Sequence, residues 1–231
     1  MFEGCSSLTK APQLPATELA PACYSRMFYG CTSLKEVLFG SSVETIGFYA
    51  FSDCCNLEEI VIPNSVKAIG KASFSGCKAL SSISIGDSVT SITKSMFSGC
   101  TNLKEIVVSR GNSKYDSRDS CNAVIETAKN SIILGGKNTM IPNSITAINE
   151  YAFEGCTGIF ELTIPQNITS IGCGAYSNCT EIIRVNFNAE NCNVMGDTYN
   201  PVFSNCFNIT TINVGDNVTE IPYHAFEGCV G

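Results

Sequence analysis

The segment IPNSVKAIGKASFSGCKALSSISIGDSV, residues 62–89, holds one complete unit of the pattern from which this chain is built. It turns at Pro63, Asn64 and Ser65, carries an apolar pair at Val66 and Ile69, and reaches an aromatic residue at Phe74. Gly76 and Cys77 follow, then Leu80, Ile83 and Ile85. Proline or glycine beside Asn, Asp or Ser is turn chemistry. The alternation that ends at Ile85 is the period of two expected of a short strand with one buried face.

Alignment of the whole chain on an aromatic followed three residues later by cysteine finds nine copies: FEGC, FYGC, FSDC, FSGC, FSGC, FEGC, YSNC, FSNC and FEGC. They end at Cys5, Cys31, Cys54, Cys77, Cys100, Cys156, Cys179, Cys206 and Cys229, with spacings of 26, 23, 23, 23, 56, 23, 27 and 23 residues. The unit is therefore 23 residues, and one long insertion accounts for the 56. A unit of this size cannot bury its apolar face except against its neighbours, and a period in the twenties is that of a leucine-rich repeat. The expected fold is a β-rich leucine-rich-repeat solenoid, with a minor α+β character. Its 23-residue coils would share one parallel sheet, with short second strands opposite and short helical or 3-10 turns between. One solenoid is expected over residues 1–231. Both ends stand at the same phase of the repeat without a polar cap, which predicts a portion of a longer protein.

The residue before each of the nine cysteines is Gly, Asn or Asp, the types that tolerate a left-handed backbone. A small side chain just after such a turn would point inward, so the cysteine ladder reads as core and not as a disulfide or metal framework. Stacked parallel side chains have the wrong mutual orientation for disulfides. Cys23, Cys55, Cys121, Cys173 and Cys192 lie off the ladder and are the better candidates for pairing.

Two stretches break the rhythm. Within 109–141, NAVIE and SIIL flank TAKN, which predicts a β-hairpin that replaces an ordinary coil and either projects from the stack or widens it. Residues 187–203 add four residues and are expected to bulge as a loop. Loops of this kind often carry function in repeat proteins, and can equally only absorb coil geometry.

Residues 62–89, together with MFYGCTSL at 27–34 and LPAT at 14–17, resemble the BspA-like leucine-rich repeats of bacterial and protozoan surface proteins. The likeness covers nearly the whole chain. It implies an exported or surface-displayed protein concerned with adhesion to host proteins and cells, and it carries over no catalytic residue.

Composition narrows the partners. A formal charge of −7 with 14 Lys and Arg argues against nucleic acid, whose phosphates must be neutralised by cationic side chains. No run of 18 apolar residues could span a bilayer, so no membrane insertion is expected of this segment. Met1 leads straight into FEGCSSL, so any export signal or anchor is expected to lie outside these residues or to have been removed.

Catalytic chemistry finds little support. The sole histidine, His224, reads as a solvent-facing turn residue, because a general base needs a positioned partner. No CxxC spacing occurs, so neither zinc nor any cofactor is expected. The sequons at Asn167, Asn178, Asn208 and Asn217 fall where the repeat already favours Asn and Thr.

The informative surface is the outward side of the strands. One row reads Glu36, Glu59, Ser82, Glu105, Glu161, Arg184 and Thr211; the other Leu38, Val61, Ser84, Val107, Thr163, Asn186 and Asn213. Carboxylates stacked at about 5 Å repel one another, which is tolerated on a solvated face or answers to a basic ligand. Glu36, Leu38, Glu59, Val61, Glu105, Val107, Glu161, Arg184 and Asn186 are the candidate binding residues. The expected role is a non-catalytic, secreted or cell-surface module that recognises a host or matrix protein or glycan. The alternative is a structural spacer with no ligand of its own.

Overall fold

The computed structural model describes residues 1–12 and 25–229 and forms two compact units, Met1–Ser117 and Arg118–Gly231. Cys23 and the LPAT segment lie outside the described residues.

In the first unit the strands are β1 (Thr45–Ile46), β2 (Glu59–Ile62), β3 (Ala68–Ile69), β4 (Ser82–Ile85), β5 (Glu105–Val108) and β6 (Tyr115–Asp116). The LxxIxI motifs become β2, β4 and β5, which pair in parallel with Ile60 beside Ile83 and Ile83 beside Ile106. Burial alternates along β2 and β5, so the isoleucines enter the core and Glu59, Val61, Glu105 and Val107 face outward. The second apolar pair of each coil makes the shorter strands β1 and β3, parallel and in register on Thr45 and Ala68.

The second unit repeats this plan. Its strands are β7 (Ala123–Glu126), β8 (Ser131–Gly135), β9 (Ala147–Ile148), β10 (Glu161–Ile164), β11 (Ser170–Ile171), β12 (Arg184–Phe187), β13 (Val194–Met195) and β14 (Thr211–Val214). β10, β12 and β14 form the parallel face, with Leu162 beside Val185 and Val185 beside Ile212. β7 and β8 are the expected hairpin, antiparallel around the 3-10 turn Thr127–Lys129 with Asn130 left-handed. They do not project. All five residues of β8 are buried, and β8 runs parallel to β9 as the first of the short second strands of this unit. One departure lies at β14, an edge strand of its sheet, where Ile212 and Val214 stay 38% and 43% exposed although the same motif positions are core in other coils.

The aromatic ladder explains why coils stack in register. Phe2, Phe28, Phe51, Phe74 and Phe97 lie face to face, with centroids 5.3 to 5.5 Å apart and planes within 10° of parallel. Phe153, Tyr176, Phe203 and Phe226 form a second stack at 4.7 to 5.9 Å. At the start of the second stack Gly135 holds the position of a ring residue, accepting Cys156 Sγ on its carbonyl at 3.6 Å, and a Cβ there would stand 2.0 Å from the Phe153 ring.

The nine residues before the ladder cysteines are all left-handed, from φ 59° at Asp53 to φ 87° at Gly228. Four residues earlier a second left-handed position recurs at Arg26, Tyr49, Ala72, Tyr151, Gly174 and His224, and only one of these six is glycine. Such a conformation costs a residue with a Cβ about 1–2 kcal/mol. The expected 3-10 turn forms at Lys94–Phe97; elsewhere this segment is an irregular turn whose amides bond to the next coil. Phe28 donates to Ala50 O at 2.8 Å, Phe51 to Ser73 O at 2.8 Å and Phe74 to Met96 O at 2.9 Å. Pairing with the neighbour holds the strained backbone in place.

The thirteen described cysteines are thiols. Seven of the ladder positions are buried, whereas Cys5 is exposed and Cys229 half-buried. Each buried ladder thiol does more than fill space. Cys54 Sγ donates to Phe28 O at 3.2 Å, Cys77 Sγ to Phe51 O at 3.2 Å, Cys100 Sγ to Phe74 O at 3.1 Å and Cys206 Sγ to Tyr176 O at 3.0 Å. The same ring-residue carbonyls accept the amide of their own coil's cysteine, as Cys31 N to Phe28 O at 3.0 Å. Both lone pairs of a buried carbonyl are thereby used, one within the coil and one by the next. Cysteine suits the site because it is compact and apolar yet keeps one weak donor.

Two outcomes follow from this core. Phe74→Ala should lower unfolding free energy by about 3–5 kcal/mol in urea titration, since the ring is fully buried between two others. Burial pushes the Cys54 and Cys206 thiols from 9.0 up to about 12, so the unfolded chain ionises them near 9.0 and the folded chain only near 12. Their contribution is complete below pH 9.0 and is lost as pH rises toward 12. The urea midpoint should therefore fall through this range, with a shallower slope in a Cys54→Ala, Cys206→Ala variant.

Candidate binding surface

The outward rows form as the alternation predicts. In the first unit Glu59 stands beside Ser82 and Ser82 beside Glu105, while Val61, Ser84 and Val107 make the parallel row. Ser82 therefore separates the two carboxylates by two strand spacings, about 10 Å, where screening leaves little repulsion. Neither Glu59 nor Glu105 makes an ion pair among the described residues. Glu36 does, with Lys10 at 3.1 Å across the bridge that joins those two residues. Leu38, Val61 and Val107 are 58%, 51% and 43% exposed, large apolar groups in line with the carboxylates. A concavity of about 530 Å³ lies at the start of the row, lined by Lys35, Glu36, Leu38, Phe39, Glu59 and Val61 among others.

The second unit's face is internally bonded. Asn186 Nδ2 donates to Glu161 Oε1 at 2.7 Å and to Thr163 Oγ1 at 3.3 Å, and Asn213 Nδ2 donates to Asn186 Oδ1 at 2.8 Å. Arg184 lies 3.7 Å from Glu161. Glu161, Arg184 and Asn186 are thus one network, unlike Glu59 and Glu105 of the first unit.

On the turn side of the second unit, a polar cluster escaped the sequence reading. Residues 187–203 include the end of β12 and all of β13, and a loop follows β13. Within it the Asp197 carboxylate accepts the amides of Asn200 at 2.7 Å and Tyr199 at 2.9 Å and the Cys173 thiol at 3.3 Å. These bonds, the Asn200 amide foremost, hold its carboxyl below the ordinary carboxylate range. Burial and Asp197 push the Cys173 thiol up. Tyr151 reaches over to donate its hydroxyl to Asn200 Oδ1 at 2.9 Å. His224, expected as a solvent-facing turn residue, has a side chain only 20% exposed and bonded at both nitrogens, to Thr198 Oγ1 at 3.0 Å and to Glu227. It fastens the loop to the last coil. No sequence pattern joins residues 26 apart across a loop of irregular length, so this contact was not legible.

Sequon amides at Asn167, Asn208 and Asn217 donate to Asn143 O at 2.6 Å, Thr180 O at 2.7 Å and Glu190 Oε1 at 3.2 Å, which gives these asparagines a structural reason to be present. Among the described residues no three His, Cys, Asp or Glu side chains are placed to hold a metal ion, and no helix is long and apolar enough to cross a membrane.

Parallel strands, stacked rings and a 23-residue coil define a leucine-rich-repeat solenoid. The chain belongs to the BspA-type leucine-rich-repeat family, whose description matches residues 21–128 and 134–231 with six copies. Its fold is similar to that of a leucine-rich repeat protein from Bacteroides ovatus, at 21% identity and a TM-score of 0.63, covering 99% of this chain and 66% of that one. A leucine-rich cell surface protein from Faecalibacterium prausnitzii is similar at 24% identity and a TM-score of 0.52, covering 89% of this chain and 73% of that one. The chain thus spans about two thirds of the length of the Bacteroides protein. No curated protein sequence matches it.

Asp197→Ala tests the loop. Its carboxylate is favoured by folding, so its contribution is present above the ordinary pKa of 3.8 and is lost as pH falls below it. At neutral pH the substitution should speed amide hydrogen exchange at Tyr199 and Asn200 by about tenfold while leaving the strand amides unchanged.

Proposed function

We propose that this chain is a non-catalytic binding module, displayed at a cell surface or secreted, that recognises a protein or glycan through the outward face of the first unit. The observation that carries the reading is the register of Glu59, Ser82 and Glu105 beside Val61, Ser84 and Val107. It leaves carboxylates without ion-pair partners next to exposed apolar side chains. An exposed apolar stripe rimmed by charge is what a recognition surface requires, and single solvated carboxylates would not need it. Family membership and likeness to a cell surface protein support the location. Repeat architecture supports the mode, since stacked strands present an extended surface whose side chains vary without disturbing the core.

A spacer role is favoured by one observation in the second unit. There Asn213, Asn186 and Glu161 bond to one another, which leaves fewer groups free for a partner.

Binding of the chain to immobilised matrix proteins and to a glycan array separates the two readings. The binding reading expects at least one saturable partner, weakened about tenfold or more by Glu59→Lys with Glu105→Lys. Binding that survives this double reversal unchanged removes the rows from the mechanism. No partner in either panel leaves the spacer.

A further inference from the structure

β10 is an edge strand of the parallel face of the second unit, paired on one side only, with β12. On that side the carbonyls of Phe160 and Ile164 accept the amides of Arg184 at 3.3 Å and Asn188 at 3.0 Å. Alternation along the strand turns the N–H and C=O of Glu161 and Thr163 to the other side. These four groups have no backbone partner there among the described residues, and such a row is a template for another strand.

The segment that would cover this edge is tied elsewhere. Residues 136–141 form no strand. Met140 N donates to Cys121 O at 3.0 Å and Thr139 Oγ1 to Asn122 O at 2.7 Å, which holds the segment against the residues that lead into β7. In the first unit even residues outside the strands bond from coil to coil, as Lys35 N does to Thr9 O at 3.0 Å and Ala11 N to Glu36 O at 3.3 Å. Among the described residues no backbone bond joins 136–141 to β10, and a recess of about 320 Å³ lies between them. Its lining is mixed, with Ile141, Ile159 and Leu162 apolar and Lys137, Thr139 and Glu161 polar. Ile159 and Leu162 are 9% and 7% exposed, whereas the same motif positions at Leu57, Ile60, Leu80 and Ile83 are 0% exposed.

We propose that β10 takes up an extended segment of a partner polypeptide as an added parallel strand, one that carries an acidic residue followed by an apolar one. Strand addition draws affinity from main-chain bonds and specificity from the places it gives to alternate side chains. Every pair on this face is parallel, so the added strand begins beside the start of β10. Lys137 stands there, its Nζ 3.5 Å from where a Cβ on Gly158 would be, and it makes no ion pair among the described residues. It answers to the acidic side chain, since Glu161 is already engaged by Arg184 and Asn186. The apolar side chain enters the recess and completes the cover of Ile159 and Leu162. Pro165 has no N–H, so the ladder ends there and the added strand is short. This site lies in the second unit and does not depend on the outward rows of the first.

The test uses the full chain and a displayed library of random linear heptapeptides, with the selected peptides then synthesised. Amide hydrogen exchange reads the edge directly. In the free chain the Glu161 and Thr163 amides should exchange at least about tenfold faster than that of Leu162, and a selected peptide should protect them. Peptides with the acidic and apolar residues in that order should saturate with Kd below about 100 µM. N-methylation at the alternate peptide residues that face β10 should weaken binding about tenfold or more, and methylation at the intervening residues much less. Thr163→Pro removes an N–H on the bare side alone and should abolish binding, whereas Thr163→Val keeps that N–H and should bind. The methylated peptides test the same bonds on the unaltered chain should Thr163→Pro not fold. The proposal is overturned if the two amides are slow in the free chain, if no selected peptide protects them, or if both methylation patterns weaken binding equally. It is also overturned if raising the concentration of the chain alone protects these amides, since the occupant would then be a second copy.

Discussion

Everything in this protein depends on one coil setting its ring, its left-handed residue and its thiol directly over those of the next. The buried ring carbonyl is where these demands meet: it takes an amide from its own coil and a thiol from the neighbour, as Phe28 O does from Cys31 and Cys54. A coil removed from its neighbours would lose the second bond, expose the ring and leave several turn amides unpaired. Folding of any 23-residue unit is therefore conditional on the one beside it.

That dependence explains which parts of the fold were legible from residues alone. Repetition made the strand motif, the turn and the residue before cysteine readable, because a requirement met nine times leaves nine marks. The outward rows were legible for the same reason: once Ile60 and Ile83 are inward, Val61 and Ser84 must be outward, and the register obeys. The hairpin was legible as a hairpin but not as core, since burial on both faces of β8 follows from its neighbours and not from its own apolar run.

Features that occur once, or that tertiary contact imposes, stayed hidden. The second left-handed position at Tyr49, Tyr151 and His224 carries no glycine signature, because inter-coil bonds impose a conformation the residues do not prefer. The His224 contact with Thr198 depends on how a four-residue insertion folds back. Along the candidate surface, the chemistry of Glu161 and Asn186 is legible from their types, but not that they satisfy one another.

The direction of the backbone bonds bears on how the protein would respond to force. Within each unit the bonds that join coils run in rows from one coil to the next, as from Phe51 to Ser73, beside short turn bonds that close within a coil, as from Cys54 to Phe51. Tension on a chain end would therefore peel the terminal coil open one bond row at a time and would not shear a whole sheet at once. Each coil released would lengthen the chain by up to about 75 Å, at roughly 3.3 Å for each of its residues. Such a stack yields in steps under load, dissipating a pull coil by coil while the coils not yet reached keep their faces intact.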